Sequence, residues 1–274
     1  MKAANTPKRI LAIHDISGFG RCSLTVALPI LSAMGLECVC VPTAVLSTHT
    51  GIGGYTCRDL TEDLPAVLAH YLNLGLTFDA IYSGFLGNIR QIELVRRFVD
   101  SFRRDGALFI CDPAMADDGK LYPLFDTNFV QKMRSLCSIA DVIVPNQTEA
   151  ALLLDVPEHV ASPSSSMLSG LQKLGAKSAV LTGAVNSNGG IGAAGIDSNA
   201  AEYFAYAKKA PGSYSGSGDI FASVLTGALT LGYTLPDAIK RAVDFTSAVI
   251  ENTHKHHGDP LRGLLFEELL RCLM

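Results

Sequence analysis

Stretches that read as buried strands and stretches that read as amphipathic helices take turns along almost the whole of this chain, and that alternation restricts the fold more than any single motif. Strand-like runs are RILAIHD (9–15), ECVCVPTAVL (37–46), FDAIYSG (78–84), ALFICDP (107–113), DVIVPN (141–146) and SAVLTG (178–183). Between them lie helix-like runs over 21–35, 63–75, 91–106, 128–140 and 163–175. Strands joined through a helix lie parallel, with helices covering both faces of the sheet. The expected fold class is therefore α/β, a three-layer α/β/α arrangement around a central, mostly parallel sheet. GGIGAAGI (189–196) and AEYFAYAK (201–208) are two further strand-like runs, and the DSN between them predicts a hairpin. The remainder reads as helix: the stretch after Asp219, then 234–253, then 261–273. Pro42 predicts an irregular end to its strand, and Pro65 falls where a helix start tolerates proline.

Length and composition narrow the options. With 274 residues, 48% of them hydrophobic and 18% charged, the chain can bury a large core. We expect one domain over 1–274 with a short N-terminal tail at about 1–7, since there is no internal repeat and no long low-complexity linker. The Ser/Pro patch at 162–166 is short enough to be a helix-entry loop. A net charge of −4 does not suggest nucleic acid, which favours a basic stripe. No apolar run is long enough to span a bilayer and the first ten residues lack an apolar signal core, so no membrane partner and a cytoplasmic location are expected. The seven scattered cysteines form no C-x-x-C pair and read as reduced thiols.

One short segment carries chemistry. Gly216, Ser217, Gly218 and Asp219 stand directly before an apolar helical face made by Ile220, Phe221, Val224, Leu225, Ala228 and Leu229. Backbone N–H groups at a helix start have no partner within the helix and favour an anion, and glycine lets a bulky ligand approach them. A carboxylate at that place opposes the anion unless it handles a proton. The plainer alternative is that Asp219 simply caps the helix.

Other strand ends add polar groups at what an α/β sheet makes its binding rim. The first runs into His14, Asp15 and Ser17; the next into STHTGIGGYT, with Ser47, His49 and Thr50 beside Gly51, Gly53, Gly54 and Tyr55. Ser83, Gly84 and Phe85 follow, then Asp112 with Asp117 and Asp118, then Asn146 and Glu149, then Thr182 and Gly183. Asn146 and Glu149 read equally well as a capping box, and the DDGK run as a solvated turn. Acidic groups gathered near a phosphate-binding helix start imply a divalent cation between them, and Mg²⁺ needs only one or two carboxylates with phosphate oxygens completing its shell.

GSGD before an apolar helix, NQTEA after a strand and CDPAMADDGKLY together resemble the ribokinase superfamily, and STHTG and SGFLGN are similar to the pyridoxal (vitamin B6) kinases within it. The similarity runs from about residue 8 to 252. It implies a ribokinase-like fold and ATP-dependent phosphorylation of the 5′-hydroxymethyl group of pyridoxal, pyridoxine or pyridoxamine. Carried over position by position, Asp219 matches the catalytic base, and Gly216, Ser217 and Gly218 match the anion hole. Asp112, Asn146, Glu149, Thr182 and Gly183 match nucleotide-binding positions, with Asp112 and Glu149 also serving Mg²⁺, partly through water. Ser47, His49, Thr50 and Phe85 fall where B6 kinases surround the substrate ring. The resemblance also implies a homodimer whose partners are ATP and a small heteroaromatic alcohol, and it leaves a K⁺ requirement open.

HDISGFG departs from the pattern. It places Asp15 where B6 kinases carry a ring-contacting Ser, and it looks more like the hydroxymethylpyrimidine kinases of thiamine synthesis. That substrate is the first alternative, and a catalytically silent nucleotide- or B6-binding regulator is another. Glycines in STHTGIGGYT suggest a loop that closes over the substrate. The run His254, His256, His257 has no supporting Cys or acid cluster and reads as a solvated turn.

Overall fold

The computed structural model describes residues 6–103, 106–156, 165–212 and 214–274. Most of the expected N-terminal tail, the 104–105 end of one expected helix, residues 162–164 of the Ser/Pro patch and Ser213 lie outside the described residues.

The elements run β1 (Arg9–Ser17), α1 (Leu24–Ala33), β2 (Glu37–Leu46), β3 (Cys57–Asp59), α2 (Leu64–Asn73), β4 (Ala80–Ser83), α3 (Ile89–Phe102) and β5 (Leu108–Cys111). Next come β6 (Ala116–Asp117), β7 (Lys120–Leu121), α4 (Thr127–Cys137), β8 (Val142–Ile143), α5 (Gln147–Leu154) and α6 (Ser165–Lys173). Last are β9 (Ser178–Val185), β10 (Ile191–Ile196), β11 (Glu202–Ala207), α7 (Ser217–Leu231) and α8 (Leu235–Lys255). The main sheet has the order β11-β10-β9-β8-β5-β4-β1-β2-β3. Its middle, from β9 to β2, is parallel, while β3, β10 and β11 are antiparallel at the edges. The β10–β11 hairpin forms as expected, its turn held by Asp197 Oδ1 accepting from the N–H of Asn199 and Ala201.

The central strands read as unbroken apolar runs because both their faces are buried. Leu11, Ile13, Ile81 and Phe109 pack on the layer of α2 to α6, whereas Ile10, Tyr82 and Ile110 pack on the layer of α1, α7 and α8. This three-layer α/β/α arrangement is ribokinase-like. From β1 the chain goes first to β2 on one side and then to β4 on the other, so a crevice opens at the carboxyl ends of β1 and β4.

Two local expectations change. Pro42 does not end β2; it pairs with His14 at a bulge, after which Ile16 of β1 opposes Val45. The helix expected over 261–273 does not form as one piece. Two short 3₁₀ turns, Pro260–Arg262 and Glu267–Leu273, are separated by Gly263 at φ +74°. A Cβ at Gly263 would stand 2.4 Å from the carbonyl oxygen of Gly20, so this backbone is pressed against the loop after β1 rather than wound as a helix.

At the end of the sheet away from the crevice, buried Asp141 accepts the Phe109 N–H at 2.7 Å and pairs with Arg103 and Lys177 at 2.7 and 2.8 Å. It thereby joins the end of α3 to the starts of β5, β8 and β9. Asp141→Ala strands the Phe109 N–H and should cost about 2 kcal/mol in urea unfolding with catalysis intact. A loss below about 0.5 kcal/mol would show the junction to be dispensable.

Candidate active site

The crevice is a cavity of about 870 Å³ along the carboxyl ends of the parallel strands. Asp15 reaches it from β1, His49 and Thr50 from the loop between β2 and β3, and Phe85 from beyond β4. Asp112 follows β5, Asn146 and Glu149 begin α5, Thr182 and Gly183 belong to β9, and Gly216, Ser217, Gly218 and Asp219 open α7. Ser47 is absent from this lining: its hydroxyl accepts the Thr56 N–H at 2.9 Å and closes the base of its own loop. Cys22, Ser23, Lys208 and Lys209, which the sequence patterns do not single out for the site, also line the cavity. The two lysines lie in an irregular loop with no periodicity, so only their proximity to the start of α7 could have marked them.

The start of α7 is shaped by a tight contact. Gly216 is its N-cap at φ +82°, and a Cβ there would stand 2.2 Å from the Arg21 carbonyl oxygen. No side chain caps the helix, and Ile220 N–H makes the first bond back, to Gly216 O. The N–H groups of Ser217, Gly218 and Asp219 thus precede the helical ladder, beside the cavity. A Cβ on Gly218 would meet nothing within 4 Å, which leaves that face open to a ligand.

Asp219 therefore does not play the capping role. The backbone N–H of Ser23, a residue at φ +57°, lies near enough to its carboxylate to favour the charged form, with Arg21 nearby at φ +48°. Non-glycine residues in this left-handed region cost about 1–3 kcal/mol each, a strain maintained by the packing around the loop. Burial is the main cause that pushes the Asp219 carboxyl up to about 7; the Asp15 carboxylate adds to the rise and the Ser23 N–H opposes it.

Asp112 and Glu149 are more deeply buried. Burial first, then the charges of Glu149 and Asp219, raise Asp112 well above the usual carboxylate range. Glu149 is pushed up to about 8 by burial, against bonds from the N–H groups of Asn146, Met115 and Ala116. Asn146 and Glu149 do form a capping box, and their other polar atoms tie α5 to the β6–β7 hairpin: Glu149 Oε1 accepts the Met115 N–H and Asn146 Nδ2 donates to Ala116 O. Capping and site geometry are here one arrangement.

These donors fit a cation held jointly with a phosphate. Among the described residues no three-ligand metal cluster exists, and both Glu149 oxygens already accept backbone bonds. The Asp112 carboxylate accepts no hydrogen bond from a described residue and is free to face a cation. Hard cations such as Mg²⁺ suit such sparse oxygen sites.

Asp15 is 2% exposed; Ser17 Oγ donates to its Oδ2 at 2.9 Å, while Oδ1 is buried without a partner. Burial raises its pKa. His49 is fully engaged by the protein: the Gly51 N–H donates to Nδ1 at 3.2 Å, so Nε2–H donates to Leu261 O at 2.7 Å. His14 lies beneath the cavity, edge-on to Tyr82 at 4.3 Å, and burial lowers it to about 3, leaving it neutral. Burial, followed by the nearby Asp219 and Asp15 charges, holds the Cys22 thiol far above its ordinary pKa, so it stays protonated.

Residues 28–260 match the family model described as phosphomethylpyrimidine kinase. A Bacteroides thetaiotaomicron protein, provisionally named a phosphomethylpyrimidine kinase, is 39% identical with a TM-score of 0.94, covering 100% of this chain and 96% of that one. A second crystal form of it, described as containing pyridoxal, matches at 38% identity and TM-score 0.92, covering 97% and 96%. The pyridoxal kinase of Lactobacillus plantarum is 34% identical over 97% of this chain and 96% of its own, with a TM-score of 0.90. A Schizosaccharomyces pombe protein, provisionally named a pyridoxal kinase, is 28% identical over 80% of this chain, which spans 66% of that relative's length.

The raised carboxyls predict an unusual pH response. In the folded chain Asp219 and Glu149 hold protons up to about pH 7 and 8, whereas an unfolded chain has lost them by about pH 5. Stability therefore falls as pH rises through that range; the opposing contribution of neutral His14 is complete above about pH 6.5. Tm in the absence of ligand should be lower at pH 8.5 than at pH 6.5, with a smaller drop in Asp219→Asn. An equal Tm at both values would contradict the assignment.

Proposed function

The chain belongs to the phosphomethylpyrimidine kinase family of small-molecule kinases, and we propose that it transfers the γ-phosphoryl group of ATP to the 5′-hydroxymethyl oxygen of pyridoxal, pyridoxine or pyridoxamine. The observation that carries this reading is the start of α7. There the Asp219 carboxyl, near 7 and not used as a cap, stands beside N–H groups that precede the helical ladder. The family relationship supports the reaction, and the similarity to a protein crystallised with pyridoxal supports the substrate.

Phosphoryl transfer is mostly positioning together with stabilisation of charge on the equatorial oxygens. An alcohol is a weak nucleophile at neutral pH; Asp219 accepts its proton as the oxygen attacks. The N–H groups of Ser217, Gly218 and Asp219 face the transferred group without having to reorganise. Thr182 and Gly183 take the nucleotide side of the cavity, and Asp15, Thr50 and Phe85 the ring side, where Asp15 Oδ1 accepts from a donor on the substrate. Mg²⁺, held by Asp112 and through water by Glu149, would offset triphosphate charge. The cytoplasmic homodimer implied by the resemblance belongs to the same reading; sedimentation tests its dimer part.

A second reading has its own support. The family description and the Asp15 position both suit 4-amino-5-hydroxymethylpyrimidine, whose exocyclic amine would donate to Asp15. ADP release with Mg·ATP and each alcohol in turn separates the two. We expect turnover on a B6 vitamer, reduced about 10³-fold in Asp219→Asn. Below about pH 7, kcat/KM should fall tenfold per unit as Asp219 takes up a proton. Turnover on the pyrimidine alone would move the substrate, and no turnover on any alcohol would leave a silent binder.

A further inference from the structure

The short turn Pro260–Arg262 holds three separate loops of the cavity by three successive carbonyl groups. Pro260 O accepts the Ser215 N–H at 3.4 Å, immediately before the N-cap of α7. Leu261 O accepts from His49 Nε2 at 2.7 Å, in the loop between β2 and β3. Arg262 O accepts from Arg21 Nη1 at 3.2 Å, in the loop between β1 and α1. Pro260 O also takes the Gly263 N–H that closes the 3₁₀ turn, and the three successive carbonyls each accept a donor from a different part of the site.

Further contacts reinforce this arrangement. Arg21 Nε pairs with Glu267 at 2.6 Å, and the Arg262 guanidinium lies 5.4 Å from the Phe19 ring centroid. Gly20 has no Cβ to block the His49 ring; one would stand 2.2 Å from Cδ2. The turn is itself fixed to α8: Thr253 Oγ1 accepts the Leu265 N–H at 2.8 Å, and Asn252 Nδ2 donates to Leu265 O at 3.0 Å. Leu264 and Phe266 are buried in the core beside α1, α7 and α8.

We infer that the Pro260–Arg262 turn positions the active site, fixing through His49, Arg21 and Ser215 the loops that carry the ring-side residues, the Ser23 N–H and the anion hole. His49 is then a positioning residue, since both its ring nitrogens are bonded to the protein backbone. Arg21 lies outside the cavity lining and acts through the loop that presents Ser23 to Asp219.

The experiment compares His49→Ala, His49→Gln, Arg21→Ala and Arg21→Lys with the full chain by kinetics, Tm and amide hydrogen exchange. His49→Ala should lower kcat about tenfold or more while KM for ATP stays within about twofold, because misplacement by an ångström is enough to slow transfer. Exchange should quicken in 18–23 and 47–51 and stay unchanged in α3. His49→Gln, whose amide can still donate to Leu261 O, should return kcat to within about threefold. Arg21→Ala should repeat the kcat loss, and Arg21→Lys should restore part of it. Unchanged kcat and exchange in His49→Ala and Arg21→Ala would overturn the inference. So would a His49→Gln variant as impaired as His49→Ala, which would place the imidazole on substrate. If His49→Ala does not fold, Arg21→Ala decides alone. The inference rests on the kinase reading for its rates; the exchange data stand without it, so failure of one is distinct from failure of the other.

Discussion

Everything at this site depends on the close approach of Gly216 to the carbonyl group of Arg21. It lets the loop after β1 lie against the first turn of α7, where the Ser23 N–H reaches Asp219. A side chain at position 216 would open that contact and carry the Ser23 N–H away from the Asp219 carboxyl. The left-handed backbone at Arg21 and Ser23 is the cost of the geometry. Buried Leu24, Val26 and Ile30 hold α1 in the core just beyond it.

Burial then sets the chemistry. Asp219, Asp112 and Glu149 each have a raised carboxyl pKa, and burial is the first cause for all three. A carboxyl near 7 exchanges a proton readily at neutral pH, which suits a base better than an exposed aspartate near 4 would. The same acidic cavity has Lys208 and Lys209 at its rim. A polyphosphate entering between them meets positive charge before it meets the carboxylates.

The alternation of apolar runs was enough to read the layered sheet, because strands buried on both faces cannot hide their composition. Gly216 to Asp219 were legible for a similar reason: two glycines before an apolar helical face have few explanations. The capping box of Asn146 and Glu149 does not exclude a place at the cavity, since the same two side chains cap α5, reach the β6–β7 hairpin and line the crevice. What the residues alone could not reveal were tertiary contacts. Nothing in the neighbours of His49 shows that Leu261, 212 positions away, accepts its proton. Ser47 looked equivalent to Thr50, yet its hydroxyl closes its own loop. The segment over 261–273 had helical periodicity, and its contact with Gly20 took precedence.

The fold holds the Asp219 carboxyl, pushed up to about 7 chiefly by burial, ready to exchange a proton near neutral pH. The most direct test is a ¹³C-carboxyl NMR titration of the full chain, with the Asp219 signal assigned by its loss in Asp219→Asn. A midpoint near 7 is expected. A midpoint near 4, that of an ordinary exposed aspartate, would contradict it.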